Sequence, residues 1–187
     1  MFPSHDPGGG SCNVASGNYS TIAGGKNLSA SGSYSTITGG LSSKAQGTQS
    51  FVGAGRLNDS RGDVSAIIGG LNNEAISDFS FIAGGFLNTS LSAFDSIVGG
   101  FNNVASGSAA FIGGGSFNTA SGKASIIGGG SKNAASGNYS TIVGGFSSRA
   151  VGRNSFIGGG CRNFLNEDAR CAIIGGGVFN YSRSTRS

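Results

Sequence analysis

The 187-residue sequence has no Trp, one Met and one His, and only 11% of its residues are charged. It also lacks any run of about 18 apolar residues, so no membrane-spanning helix is predicted and membrane insertion is not expected. The N-terminal segment has no basic region followed by an apolar run, which argues against a secretory signal peptide. We therefore expect assembly inside a cell, unless a signal lies outside this sequence.

Residues able to carry chemistry are equally scarce. The single His5 stands beside Asp6 in a Pro-flanked segment, without the neighbours that a catalytic triad or a His-metal site needs. Cys12, Cys161 and Cys171 have no C-x-x-C spacing, so free thiols are expected, with a Cys161–Cys171 disulfide as the alternative. The sequence predicts a non-enzymatic protein with no catalytic residue, no metal site and no cofactor.

What the sequence does contain is a repeat of fifteen residues. Ile or Val recurs at every fifteenth position from Ile22 to Ile157, and Gly recurs in the same way from Gly25 to Gly160. One unit reads roughly N-x-A-S-G-x-Y-S-x-I-x-G-G-x-x. Because so short a unit cannot bury a core alone, each copy must stack on its neighbours, and we predict an all-β parallel β-solenoid of about eleven turns.

Each unit is expected to contain two short strands, because its Gly and Asn residues disfavour helices. Side chains alternate across a strand, which places the Asn, Ala and Gly of the first strand and the Ser, Ile and Gly of the second in the interior. The predicted core is a column of Ile facing a column of Ala, interrupted by Ser60 and Ser90. A ladder of Asn side chains is expected to satisfy backbone groups of the turns.

The outward positions of the second strand are uncharged in the copies from Thr21 to Gly158. A stripe of this length, with recurring Phe, is larger than the apolar surface that a soluble monomer usually exposes. We therefore predict that rods pack side by side through it, the alternatives being reversed sidedness of the strands or cover by a tail. The residues assigned to this interface are Phe51, Ile68, Phe81, Val98, Phe111, Ile126, Val143 and Phe156.

Charge is distributed unevenly along the chain. The outward positions of the first strand include Lys44, Asp59, Arg61, Glu74 and Arg149, and this side is expected to face solvent. Residues 1–122 hold four basic and six acidic side chains, whereas residues 123–187 hold eight basic and two acidic ones. We interpret the basic end first as a soluble surface, with a polyanionic partner as the alternative. No nucleic acid partner is expected.

The rhythm breaks once, in the irregular turn 161–177, which carries two extra residues. Terminal repeats of solenoids are usually atypical, so we predict a docking loop formed by Asn166, Glu167, Asp168 and Arg170. The expected organisation is an N-terminal cap or anchor over 1–8, a solenoid over 9–177 and a C-terminal tail over 178–187.

One short motif invites a functional interpretation. Arg61-Gly62-Asp63 is the tripeptide that integrins read, and it falls at a turn position. Gly62, however, is the Gly of the repeat itself. We therefore interpret the motif as a chance product of the repeat.

Two runs of the repeat carry a family resemblance. YSTIVGG at 139–145 and NVASG at 103–107 resemble the head repeats of trimeric autotransporter adhesins, the YadA-like family, and similar repeats of phage and viral fibre proteins. The likeness covers nearly the whole chain. It implies a left-handed parallel β-roll, three chains packed about one axis, and a surface role in attachment. The fifteen-residue turn and the doubled Gly depart from the family, as does the lack of its neck, stalk and membrane anchor.

The spacing N-x-A-x-G-x-x-S-x-I-x-x-G is also similar to the plant ice-recrystallisation-inhibition repeat. That likeness implies a monomeric β-roll that binds ice through a flat array of hydroxyl and methyl groups. Thr21, Thr36 and Thr141 match such an array. The Phe rings at alternate turns are expected to spoil its flatness.

From these observations we predict a non-enzymatic structural or attachment protein. It would form a homotrimeric β-roll, a spike or fibre on a virion or cell surface. Its partners would be its own copies, and a surface glycan, a receptor or another structural protein. The alternatives are a monomeric ice-binding β-solenoid and an internal protein that stabilises a capsid or shell.

Overall fold

The computed structural model describes residues 12–182, which form two parallel β-sheets made of two-residue strands. The predicted cap over 1–8 and residues 183–187 of the predicted tail lie outside the described residues. In chain order the strands are β1 (Val14–Ala15), β2 (Thr21–Ile22), β3 (Ser29–Ala30), β4 (Thr36–Ile37), β5 (Lys44–Ala45), β6 (Phe51–Val52), β7 (Asp59–Ser60), β8 (Ala66–Ile67), β9 (Glu74–Ala75), β10 (Phe81–Ile82), β11 (Thr89–Ser90), β12 (Ser96–Ile97), β13 (Val104–Ala105), β14 (Phe111–Ile112), β15 (Thr119–Ala120), β16 (Ile126–Ile127), β17 (Ala134–Ala135), β18 (Thr141–Ile142), β19 (Arg149–Ala150), β20 (Phe156–Ile157), β21 (Phe164–Leu165), β22 (Ile173–Ile174) and β23 (Tyr181–Ser182).

Successive strands alternate between the two sheets. Odd-numbered strands form a twelve-stranded sheet and even-numbered strands an eleven-stranded sheet, so each strand pairs in parallel with the strand two places later. The register follows the repeat, since Val14 pairs with Ser29 and Thr21 with Thr36. The chain therefore winds as a coil, and the predicted parallel β-solenoid of about eleven turns is confirmed. Turns are numbered here from 13–27, which makes 148–162 the tenth.

Main-chain hydrogen bonds join each turn to the next. In the strands an N–H donates forward to the following turn, as Ala23 does to the carbonyl of Ile37 at 3.0 Å. At the corners of the coil the donation runs backward, so that Tyr34 N–H bonds the carbonyl of Asn18 at 2.7 Å. Because the bonds run in both directions, every turn both donates to and accepts from each of its neighbours.

Two corners in each turn place a residue with a side chain in the left-handed region. The first corner is the pair Asn18–Tyr19 and its equivalents, and the second corner is the pair Lys26–Asn27 and its equivalents. The second residue of each pair has positive φ, 58° at Tyr19 and 56° even at the β-branched Val64. Such a conformation costs roughly 1–2 kcal/mol per residue. The backward hydrogen bonds depend on it, because a left-handed residue reverses the direction of its N–H.

The interior holds the predicted columns of Ile and Ala. Ile22 and its equivalents through Ile157 are fully buried, as are Ala30 and most of its equivalents. Ser60 and Ser65 face each other in the fourth turn, with their hydroxyl oxygens 2.6 Å apart. This polar layer separates an apolar core cluster that ends at Val52 from a longer one that begins at Ile67. Burial of each large aliphatic side chain contributes about 1.5–3 kcal/mol.

The predicted Asn ladder is confirmed, and Asn103 shows how it works. Its Nδ2 donates to the carbonyls of Gly99 and Gly115, both at 3.0 Å, and its Oδ1 accepts from the backbone N–H of Asn118 at 3.0 Å. One side chain thus satisfies three backbone groups, one in its own turn and one in each of the two neighbouring turns. Ser43 and Ser148 interrupt the ladder but keep the acceptor, since each hydroxyl oxygen accepts the N–H of the next turn.

The coil continues beyond residue 177, where the solenoid was predicted to end and the C-terminal tail to begin. Val178 bridges to Cys161, and Tyr181 of β23 pairs with Phe164. Residues 178–179 therefore complete the eleventh turn, and residues 180–182 begin a twelfth. The extra two residues of turn 163–179 are absorbed between β21 and β22, after which the pairing resumes with Phe156 opposite Ile173.

We expect Gly130→Ala to destabilise the coil by several kcal/mol in urea denaturation. Gly130 has φ of 87°, and an added Cβ would overlap the carbonyl of Gly145 and meet Asn133 Nδ2 at 2.7 Å. The matched control is Gly129→Ala, because nothing lies within 4 Å of a Cβ there and Ala54 occupies the equivalent position. Equal losses in the two variants would contradict this account of the glycine column.

Asn103→Ala is expected to cost about 2–4 kcal/mol of unfolding free energy, because it leaves buried backbone groups unpaired. Asn103→Ser should cost less, since Ser43 and Ser148 show that a hydroxyl retains the acceptor for the next N–H. Both free energies can be read from the same denaturation experiment. A loss in the Ser variant as large as that in the Ala variant would show that the acceptor contributes nothing.

Candidate interaction surfaces

The outward positions of the even-numbered sheet form one continuous surface, which we call the uncharged face. It carries all eight residues that the sequence assigned to an interface. Seven of them are between 36% and 52% exposed, and Phe51 is half-buried. The sequence-based assignment of inside and outside is confirmed for the Ile and Ala columns and for the Phe residues. It is wrong for Gly24 and its equivalents, which were expected inside, because a Cβ on Gly24 would meet nothing within 4 Å and the equivalent Ala54 is exposed. Only one chain is present, so assembly through this face stays a prediction.

Large and small side chains compensate in most turns of the uncharged face, the exceptions being Thr36 with Thr38 and Thr141 with Val143. Where the first outward position holds Phe, the second holds Gly or Ala, as in Phe111 with Gly113 and Phe156 with Gly158. A Cβ on Gly113 would lie 3.6 Å from Cε1 of Phe111, so the ring leans across its own glycine. The rings therefore protrude less than their size suggests. This weakens the sequence-based argument that Phe residues spoil a flat surface.

The opposite face is charged but partly self-neutralised. Lys44, Arg61 and Arg149 are exposed, as predicted, whereas Asp59 is only 9% exposed. The reason is an ion pair in which Arg61 Nη2 lies 2.8 Å from Asp59 Oδ2. Asp59 was expected to face solvent, and that expectation is wrong because the guanidinium covers it.

The same ion pair bears on the Arg61-Gly62-Asp63 motif. Arg61 is held by Asp59, Gly62 is buried, and Asp63 Oδ1 accepts the backbone N–H of Thr48 at 2.7 Å. A Cβ on Gly62 would overlap the carbonyl of Ser77, so the close approach of the next turn accounts for this Gly. Both charged ends of the tripeptide are thus engaged within the fold, which favours the interpretation of a chance motif.

The predicted docking loop is a short bulge at the first corner of the eleventh turn. Glu167, Asp168 and Arg170 are exposed, and Asn166 is half-buried. Ala169 is fully buried and takes the place that Gly152 holds one turn earlier. The loop is anchored by this alanine, so the three charged side chains point outward from a fixed backbone. Their role in docking stays a prediction.

The basic end of the rod is lined with aromatic rings that face its cations. Lys132 Nζ lies 5.7 Å from the ring centre of Phe146, and the guanidinium of Arg149 lies 5.7 Å from that of Phe164. Arg153 stacks on Tyr139 and Arg162 on Phe179 in the same way. Each such contact contributes about 0.5–1 kcal/mol at an exposed site. These contacts within the chain give the cationic side chains a structural role that does not depend on a polyanionic partner.

All three cysteines are free thiols, and Cys12 and Cys171 are exposed. The alternative of a Cys161–Cys171 disulfide is therefore wrong for this structure. The two residues lie on different corners of the coil, Cys161 at the second corner and Cys171 at the first.

One buried charge was missed by the sequence analysis. Asp95 occupies an interior position that is Ser in most turns, and it is fully buried. Its carboxylate accepts the backbone N–H groups of Ala110 and Ser92 at 2.8 and 2.9 Å. Burial raises the pKa of Asp95 to about 6, although these two hydrogen bonds lower it in part. The sequence contains a signal for this buried charge, since an Asp interrupts a column of Ser residues.

The described part of the chain contains no cleft or cavity. Nor does it bring three or more His, Cys, Asp or Glu residues together in a way that could hold a metal ion. None of the residues from 12 to 182 belongs to a helix of the length and apolarity that crossing a bilayer requires. No protein-family model matches the sequence, and no curated protein matches it significantly.

We expect the stability difference between the wild type and Asp95→Asn to depend on pH. The pKa of Asp95 is raised in the folded state, so the fold binds its proton more tightly than the unfolded chain does between about pH 4 and 6. As pH rises through this window the wild type should lose stability relative to the variant, by on the order of 2–3 kcal/mol. Thermal melts of both proteins at pH 4.5 and 7 measure this change, and a constant difference would contradict it.

Proposed function

We propose that this protein is a non-enzymatic structural module whose chains assemble through the uncharged face into a trimeric β-roll. The observation that supports this is the continuity of the face, which runs without a charged residue from Thr21 to Gly158. The exposed apolar side chains along it exceed what a lone soluble rod usually presents to water. A second copy is a suitable cover, because it presents an equally uncharged surface of the same length.

The size compensation found in most turns supports an in-register arrangement. When rods of one kind pack in parallel about a three-fold axis, the first outward position of one chain meets the second outward position of its neighbour at the same height. Phe111 would then meet Gly113, and Ile68 would meet Ala66. Most turns of such a trimer pair one large side chain with one small side chain, and the two exceptions pair Thr36 with Thr38 and Thr141 with Val143.

The role of the trimer would be to project or to attach, as a spike or fibre on a virion or cell surface. The basic end and the bulge of Glu167, Asp168 and Arg170 would then be the parts that meet a glycan, a receptor or another structural protein. Ice binding by a monomer is the second candidate. Because the Phe rings lean across their own glycines, they disturb a flat surface less than the sequence alone suggested. Its surface carries few hydroxyl groups, however, since only Thr21, Thr36, Thr38, Ser96 and Thr141 supply them from Thr21 to Gly158.

Phe111→Glu tests the proposal. It places a charge in the middle of the face, and we expect the trimer to fall to a monomer in sedimentation equilibrium, with an unchanged β-sheet circular dichroism spectrum. The reason is that burial of each ring contributes about 1.5–3 kcal/mol, whereas a buried carboxylate without a partner is costly.

The matched control is Thr119→Glu on the opposite face, where Glu74 occupies the equivalent position in β9. That variant should remain a trimer. A wild-type protein that sediments as a monomer would overturn the assembly. If this monomer also inhibits ice recrystallisation, the second candidate would replace it.

A further inference from the structure

The first corner of the coil carries an exposed pattern that the uncharged face does not explain. Its first positions run Thr48, Asp63, Asp78, Ala93, Ser108, Lys123, Asn138 and Arg153 through turns three to ten. Its second positions run Gln49, Val64, Phe79, Phe94, Ala109, Ala124, Tyr139 and Asn154. Acidic and large residues thus precede the midpoint, whereas basic residues and two alanines follow it.

The largest exposed apolar feature of this corner lies beside its smallest residues. Phe79 and Phe94 are 50% and 57% exposed, and their rings stack with centroids 4.9 Å apart and planes only 4° from parallel. Ala109 and Ala124 follow at the equivalent positions of the next two turns. The corner therefore presents a ridge of two rings directly next to a depression two turns long.

We propose that the first corner is a dimerisation surface that binds the same corner of a second, antiparallel copy. The two-fold axis would cross the corner between Phe94 and Ala109. Rotation about an axis perpendicular to the rod reverses the order of turns and keeps each column facing its own counterpart. The ridge of each chain then enters the depression of the other, with Phe94 facing Ala109 and Phe79 facing Ala124.

The same axis also brings charged residues, and the residues of the outer turns, opposite suitable partners in the second chain. Asp78 faces Lys123, and Asp63 faces Asn138, one turn from Arg153. Further out, Val64 faces Tyr139, and Gln49 faces Asn154. No pair brings like charges together, and complementarity extends over eight turns, about 35 Å at the spacing of neighbouring strands.

A parallel arrangement of the same corners fits less well. It would place turns of equal number side by side, so that Asp63 and Asp78 of both chains crowd at one height and Lys123 and Arg153 at another. Like charges that meet at an interface oppose association. The two stacked rings of one chain would also meet the rings of the other and leave both depressions empty. The charge pattern therefore selects the antiparallel pair.

Charge reversal with rescue tests this dimer. In sedimentation equilibrium, Asp78→Lys and Lys123→Asp should each weaken the association of two corners at least about tenfold, because each creates a pair of like charges. The double variant Asp78→Lys/Lys123→Asp should restore it, because the opposite charges face each other again. The matched control is Glu74→Lys/Lys132→Glu, which reverses one acidic and one basic residue away from the first corner and should leave the mass unchanged.

Filling the depression is a second test. Ala109→Phe should halve the mass of the assembly, and the fold should tolerate it because Phe79 and Phe94 hold the equivalent position in other turns. Ser147→Phe at the second corner, where Phe117 is the equivalent residue, is the control and should have no effect. A double charge variant that fails to recover, or an Ala109→Phe variant with wild-type mass, would overturn the dimer.

The inference is independent of the proposed trimer, and the masses separate the two. A wild-type dimer that Asp78→Lys dissociates and Phe111→Glu does not would support this surface and overturn the trimer. A trimer unaffected by Asp78→Lys would support the proposed trimer and overturn this dimerisation surface. A hexamer reduced to trimers by Asp78→Lys and to dimers by Phe111→Glu would support both.

Discussion

The main-chain hydrogen bonds between turns are the constraint on which the rest of this structure depends. Each strand is only two residues long, so no sheet could form from any single turn. Pairing with the turns on both sides supplies the bonds, and the strict fifteen-residue period keeps every residue beside its equivalent. The Ile column, the Asn ladder and the surface columns all follow, because identical positions of successive turns stack along one line.

This stacking explains which features the sequence predicted. The interior was predictable because strand alternation fixes the side on which each residue lies, and because Ile, Ala and Asn recur at fixed positions of the repeat. The uncharged face was predictable for the same reason, as the complement of those interior positions. The Asn ladder needed one further step, namely that buried backbone groups of the turns require partners.

The corners were not predictable, and the reason is physical. Residues with positive φ are usually found as Gly or Asn, but here Tyr19, Val64 and Phe79 adopt it. Backward hydrogen bonds to the preceding turn compensate the cost of the left-handed conformation. These bonds join main-chain groups, so they do not require a particular residue type that the sequence could reveal. The left-handed backbone of the corners and the covering of Asp59 by Arg61 are therefore features of the folded chain that the repeat pattern does not encode visibly. Asp95 differs, since an Asp in a column of Ser residues is visible in the sequence itself.

The eleventh turn shows what happens when the period is not kept. Its two additional residues are expelled at a corner, Ala169 fills the vacated interior position, and both sheets continue in register. The insertion or deletion of a whole repeat, in contrast, needs no such adjustment, because the turns that it brings together have the same shape. Coding sequence for one repeat can thus be duplicated or deleted with the coil intact, so descendants of this gene can differ in length in steps of one turn. An interface that depends on the order of turns, as the one proposed for the first corner does, would restrict where such steps are tolerated.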